Sequence, residues 1–328
     1  MDQVSVIIPA CNCEKTIGKT IEGVLAQKTE RIPQIIVVDD GSTDRTGEVV
    51  KRFPQVSYHY QKNAGPAKAR NEGAALAQGN LIIFLDADCI PQPDWLEQLV
   101  RSIGEPNIAA VCGSYGIANP ESLLARCIFA EISFRHQRME INSETKVFGS
   151  YNVCIKKGIL ERLGKFNTQY ATASGEDNDL SYRITKAGYG IRFNTKALVD
   201  HFHPTNLWKY LRTQFIHGYW RAQIYRTHPD MMRGDGYTFW KDILEPGWVL
   251  LVLFFAVLGL MGEAPFLRVG GILSLALFGL EFAFGLMMMK SFGPGFFIGT
   301  VMFLRSFFRT GGFVAGIFWQ AGQGARIL

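Results

Sequence analysis

Residues 81–99 read LIIFLDADCIPQPDWLEQL, and this stretch decides the fold. Five apolar residues bounded by turn signals have the length of a fully buried strand rather than of a helix. A strand buried on both faces belongs to a parallel sheet covered by helices. The run ends in Asp86-Ala87-Asp88, and Pro93 then opens a helix expected over residues 93–103, proline being harmless in a first helical turn. In an extended chain Asp86 and Asp88 fall on one side about 7 Å apart. Two ionised carboxylates that close repel by a few kcal/mol at an intermediate dielectric. A hard divalent ion, Mg²⁺ or Mn²⁺, relieves that repulsion through oxygen ligands.

Working outward, β-rich runs at residues 4–8, 35–39, 56–60 and 109–112 alternate with helical patterns at 15–27, 44–52 and 66–77. That alternation predicts an α/β sheet wrapped by helices. Ligands of open α/β sheets bind beyond the carboxyl ends of the strands, so the residues just after each strand come first. The first strand runs into Pro9-Ala10-Cys11-Asn12 and the second into Asp39-Asp40-Gly41-Ser42-Thr43-Asp44. A turn and helix cap explain Gly41 to Asp44 but not two adjacent acids ending a buried strand. Gly65-Pro66-Ala67 leads into a helix carrying Lys68 and Arg70. Helix N-termini and nearby cations favour phosphate, so Arg70 is expected either on a diphosphate or in a salt bridge to a strand-end acid.

The chain of 328 residues is 48% hydrophobic and 19% charged, which excludes wholesale disorder and allows two domains. Its formal net charge of +5 comes without runs of Lys and Arg interleaved with aromatics, so nucleic acid is not an expected partner. An anionic membrane surface or a phosphate-bearing substrate fits better. The six cysteines lack the paired spacing of zinc sites and read as reduced thiols. Met1-Asp2-Gln3 lacks the basic start of a secretory signal, which predicts a cytoplasmic location for roughly the first 240 residues.

Of the 34 Lys and Arg and 29 Asp and Glu, only seven lie beyond Pro246. Residues 247–262 and 269–289 have about the length and apolarity of bilayer-crossing helices joined as a hairpin. Residues 292–319 contain Arg305 and Arg309, so that stretch is expected either as a third span with its arginines facing protein or as a broken interfacial element. Residues 207–229 form an amphipathic, cation-rich helix with Trp208, Tyr210, Tyr219 and Trp220, a mixture suited to the headgroup layer. Residues 122–138 have similar spacing.

VSVIIPACN at 4–12, VVDDGSTD at 37–44, GPAKARNEG at 65–73 and SGEDNDLSYRITKAGY at 174–189 join the opening motif. With these five motifs in order, residues 4–205 resemble a family 2 glycosyltransferase of the GT-A fold, and the apolar tail resembles that of a subset of the family. The expected organisation is a Rossmann-like GT-A catalytic domain over 1–205, divided at 115 into nucleotide-binding and acceptor-binding halves. Interfacial helices over 206–245 and a membrane domain of two to three spans over 246–328 follow. The resemblance implies inverting transfer of a sugar from a nucleotide-diphosphate sugar. It puts Pro9, Ala10, Asn12, Glu14, Asp39 and Asp40 on the base and ribose. Asp86, Ala87 and Asp88 fall at the diphosphate, with Asp86 and Asp88 as metal ligands and His201 or His203 completing the ion's shell. It makes Asp177, beside Glu176, the catalytic base, and Tyr151 and Asn152 part of the acceptor pocket. Trp220 and Arg221 fall where processive members carry Gln-x-x-Arg-Trp; this sequence lacks that motif, so they are expected on the acceptor side of a non-processive enzyme. Cys11 stands where a tyrosine is usual.

A sugar hydroxyl needs a base as it attacks, whereas a polyprenyl phosphate is already ionised. The Glu176-Asp177 pair therefore leans the expectation toward a hydroxyl of a lipid-linked glycan, with a polyprenyl-phosphate acceptor as the alternative. The expected setting is the cytoplasmic face of the cell membrane. Two other classes share parts of the pattern. A haloacid dehalogenase-type phosphatase also has an apolar strand and Asp-x-Asp, but VVDDGSTD is unexplained there. A non-catalytic membrane scaffold with a retained nucleotide-sugar pocket is the other.

Overall fold

The computed structural model describes residues 3–140, 144–170, 172, 174–233 and 237–318. The elements run β1 Val4–Ala10, α1 Ile17–Leu25, β2 Gln34–Asp40, α2 Thr46–Val50, β3 Val56–Gln61, α3 Pro66–Leu76, β4 Leu81–Leu85, β5 Cys89–Pro91 and α4 Trp95–Ser102. They continue with β6 Ile108–Ile117, α5 Leu123–Glu140, β7 Glu144–Thr145, β8 Asn152–Lys156, α6 Lys157–Arg162, α7 Glu176–Lys186 and β9 Gly190–His201. The helices α8 Leu207–Thr227, α9 Trp240–Leu260, α10 Ala264–Met289 and α11 Phe292–Phe318 close the described chain. Two compact units result: one joins the residues up to Asn119 to His136–Phe202, the other Pro120–Arg135 to the residues from His203 onward. The stretch Pro120–Arg135, grouped on sequence with residues 1–205, belongs with the apolar helices.

The first unit is built on a nine-stranded sheet in the order β3-β2-β1-β4-β8-β6-β9-β5, with β7 paired to β9. The strands β1 to β4 form the parallel half that the apolar runs predict. The sheet is not parallel throughout, however. Asn152–Lys156 enters between β4 and β6 and pairs antiparallel with both. Its five residues carry neither an apolar run nor bounding turn signals strong enough to be read locally. Ile17, Ile21 and Val24 line one face of α1, and Trp95, Leu96, Leu99 and Val100 do the same on α4. Both faces join Val6, Ile8, Val37, Ile83 and Leu85 in one core. Burying each such side chain is worth about 1.5–3 kcal/mol, which fixes the strand ends that carry the polar residues.

In the second unit, α9 and α10 pair as an antiparallel hairpin, with Trp248 Nε1 donating to the Leu273 carbonyl at 3.0 Å. The helix α8 does not stand alone as a headgroup-layer helix. Its backbone lies directly against α11, where a Cβ on Gly218 would collide with the Arg309 carbonyl and one on Gly312 with that of Phe215. Tyr219 and Trp220 are buried in consequence. The third apolar stretch is one unbroken helix to Phe318, with Arg305 turned inward against Glu131; Trp319 lies outside the described residues. By length and composition, α9, α10 and α11 are each long and apolar enough to cross a membrane.

Candidate active site

The carboxyl ends of β1, β2 and β4 gather on one edge of the first unit, and their acids contact different partners. Asp39 accepts from the Ser42 amide at 2.8 Å and the Tyr58 hydroxyl at 2.7 Å. Asp40 accepts from Gln61 Nε2 at 2.6 Å and from the Ala64 and Gly65 amides at 2.8 and 2.9 Å. Both are buried. Asp39 thus closes the turn after β2, and Asp40 seats the chain entering α3. Gly65 serves that entry at φ 90°, a conformation costly for any residue with a Cβ.

The loop after β1 is laced to the loop after β2. Asn12 donates its amide to Ser42 Oγ at 2.9 Å and accepts from the Thr43 amide at 2.8 Å. Glu14 accepts from the Arg45 amide at 3.0 Å and pairs with the Arg45 guanidinium at 3.3 Å. Ala10 is buried and Pro9 half-buried, so this edge offers backbone and small side chains, with Cys11 exposed beside Asn63.

Asp86-Ala87-Asp88 departs from the expected extended geometry. It is a turn between β4 and β5, closed by the Cys89 amide donating to the Asp86 carbonyl at 3.1 Å. The two acids contact different partners. Asp86 accepts from Arg70 Nη2 at 2.8 Å, and Arg70 Nη1 donates to Glu176 at 2.8 Å. Arg70 is buried over the Phe166 ring, so of its two expected roles the structure contains the salt bridge. Asp88 turns to His201, whose Nε2 lies 3.4 Å from its carboxylate. The antiparallel register of β5 on β9 sets Cys89 opposite His201, so Asp88, Cys89 and His201 present ligand atoms within 4.8 Å of one another. Asp40 and Asp86 are outside that group.

His203, the other tentative ligand, belongs to the second unit, buried with its ring 6.1 Å from that of Phe129. Trp220 and Arg221 also belong there. Trp220 is buried edge-on against Tyr219 at 5.1 Å, and Arg221 lies over Tyr225.

Gly175, at φ 94°, turns the chain into α7 and presents Glu176, Asp177 and Asp179 in its first turn. Asp179 is buried and held by Arg183 of the same helix at 2.7 Å. Glu176 is buried on Arg70, whereas Asp177 is half-buried and accepts from the Asn178 amide at 2.8 Å. Burial raises the Asp177 carboxyl above its ordinary value, while the Asn178 amide and Arg70 hold it down. Burial, then the charge of Asp177, raises Glu176 as well. A carboxylate so raised is a stronger base than a solvated one.

Tyr151 stacks on Tyr115 with centroids 3.6 Å apart and donates to the Gly113 carbonyl at 3.0 Å; its own carbonyl accepts the Asp86 amide at 3.2 Å. Asn152, expected at the acceptor, is fully buried. It accepts from Trp95 Nε1 at 2.8 Å and donates to the Ala197 and Ser114 carbonyls at 2.8 and 3.3 Å. Its amide ties three elements together and is turned away from solvent. Tyr115, whose ring also lies 4.8 Å from His201, carried no signal in the sequence, because its position in β6 is set only by sheet pairing.

Residues 5–164 match the model for glycosyl transferase family 2. The chain is 32% identical over 238 residues to the probable glycosyltransferase YdaM of Bacillus subtilis, covering 66% of this chain and 55% of that one. It is 29% identical over 230 residues to glycosyltransferase AglE of Haloferax volcanii, covering 68% and 74%. The match therefore spans about half the length of some of these relatives. Among solved structures, the mannosyltransferase PcManGT from Pyrobaculum calidifontis, in complex with GDP-Man and Mn²⁺, superposes with a TM-score of 0.60 at 19% identity, covering 96% of this chain and 87% of that one. The sheet order, the motif positions and these likenesses agree: the chain carries a glycosyl transferase family 2 domain of GT-A fold, followed by three apolar helices.

Proposed function

We propose that the protein transfers a sugar, with inversion, from a nucleoside-diphosphate sugar to a hydroxyl of a lipid-linked glycan at the cytoplasmic face of a membrane. The observation that carries this reading is Arg70, which grips Asp86 and Glu176 at 2.8 Å each and so fixes the donor-side turn against the helix that presents Asp177. Asp177 takes the acceptor proton at its carboxylate as the hydroxyl attacks the face opposite the departing diphosphate. Glu176 does not share that task, since Arg70 holds its Oε1. It ties the first turn of α7 to Arg70, while burial raises the basicity of Asp177. Tyr151, fixed by Tyr115, supplies an aromatic face beside the turn.

Asp88 and His201 are the residues that would hold a divalent ion, and a carboxylate with an imidazole suits Mn²⁺ or Mg²⁺. Cys89 stands beside them, but its soft sulfur suits neither of these hard ions. When bound there, such an ion supplies charge compensation for the leaving diphosphate. The engagement of Asp86 by Arg70 disfavours a phosphatase, which needs that carboxylate as a free nucleophile.

The test is transfer from UDP-, GDP- and dTDP-sugars to lipid-linked acceptors by wild-type protein and by Asp177→Asn. Loss of transfer in the variant with donor-induced thermal stabilisation retained supports the reading. Undiminished transfer by Asp177→Asn to a polyprenyl phosphate would move the assignment to that acceptor. Phosphate release from phosphoesters without sugar transfer would overturn it.

A further inference from the structure

The three apolar helices differ in what they leave exposed. On the hairpin, Leu251, Phe254 and Leu260 of α9 and Ile272 and Leu275 of α10 are exposed, from 51% to 79%. Every residue of α11 from 297 to 310 is buried or half-buried. That helix is sheathed by helices that carry charge. Arg305 pairs with Glu131 of α5 at 2.5 Å, and Arg309 donates to Gln214 of α8 at 2.8 Å and lies 3.9 Å from Asp242. Arg135 bridges Glu131 and Asp242 at 2.7 Å each. At the same end of the hairpin Lys241 contacts Glu245 and Glu281 at 2.6 Å each.

Four cations and four anions on α5, α9, α10 and α11 form one self-neutralising layer, with the neutral Gln214 of α8 beside it. Drawing α11 through the hydrocarbon would take Glu131, Arg135 and Asp242 with it, and such groups are rare at that depth. Beyond the layer the hairpin holds no charge until Glu263 and Arg268 at its turn. At 1.5 Å per residue, the stretches from Glu245 to Leu260 and from Ala264 to Glu281 are about 23 and 26 Å long. Those lengths are close to the ~30 Å hydrocarbon core of a bilayer.

We infer that α9 and α10 alone cross the bilayer, as a hairpin whose Glu263 turn reaches the far interface. The helix α11 remains on the side from which α9 enters, anchored by the charge layer to α5 and α8. The acyl chains of a phospholipid bilayer are the occupant of the exposed hairpin face. The inference goes beyond the transfer reading, and its readout requires no activity.

The test places single cysteines at Glu263→Cys and Ile317→Cys in the full chain, in sealed membrane vesicles of both orientations. Labelling by a membrane-impermeant maleimide is mapped by mass spectrometry, with the exposed native Cys11 as the orientation marker. Labelling of Glu263→Cys only in the orientation that protects Cys11, and of Ile317→Cys only in the orientation that exposes Cys11, supports the inference. Labelling of Ile317→Cys from the far side or from neither side overturns it. So does labelling of Glu263→Cys from the Cys11 side or from neither. Met261→Cys and Phe318→Cys, at positions 76% and 80% exposed, repeat both readings should either first variant fold poorly.

Discussion

Arg70 and Glu176 stand 106 positions apart in the chain and meet at 2.8 Å, both buried. Their contact joins the helix after β3 to the helix that carries Asp177. The second arm of the same guanidinium holds Asp86.

Removing that guanidinium leaves one carboxylate buried and another partly buried without a partner. Arg70→Met is expected to lower unfolding stability by about 3–5 kcal/mol, the range for breaking a buried pair from one side. The double variant Arg70→Met with Glu176→Met should recover part of that loss without recovering transfer. Denaturant melts of the two variants, with transfer rates beside them, check both halves.

Replacing Asp177 by Asn is expected to lower kcat by roughly 10²- to 10⁴-fold with little change in donor affinity. Because the Asp177 carboxyl is raised by burial, it protonates at a higher pH than an ordinary carboxylate. Transfer to a hydroxyl acceptor should therefore fall on the acid side as pH drops through that raised value, above the usual carboxylate range. A pH profile of kcat/KM whose acid limb lies at or below the ordinary Asp value would contradict the assignment.

The Asp88 and His201 pair predicts where a metal is lost. Asp88→Asn and His201→Gln should each weaken Mn²⁺ binding by about tenfold or more, a loss at least as large as outer ligands produce. His203→Gln should leave it unchanged. Titration calorimetry with the metal alone separates the three.

Asn152 tests an assignment that its sequence position invites. Asn152→Ala removes partners from the Trp95 indole and from two buried carbonyls, and is expected to cost about 2–4 kcal/mol. Acceptor KM measured where the variant remains folded should stay near the wild-type value. A large KM rise with stability intact would return Asn152 to the acceptor pocket.

The opening run at 81–85, the strands before it and the separation of an apolar tail were legible because each is a local pattern. Burial demands continuous apolar runs in strands, and a bilayer demands long ones in helices. The motif 174–189 likewise marked Asp177, whose helix start is encoded by Gly175 two residues before it. The entry of Asn152–Lys156 between β4 and β6 was not legible. Antiparallel insertion is decided by which strand completes the hydrogen bonding of two others, and no short window contains that.

By itself the sequence determined an α/β domain with acids at its strand ends, followed by helices too apolar for water alone. Only the tertiary structure decided what each acid faces. Asp39 and Asp40 meet backbone amides, Asp86 meets Arg70, and Asp88 meets His201. The reason is that a carboxylate's role depends on the charges and donors within a few ångströms of it, and here those come from residues up to 113 positions away in the chain.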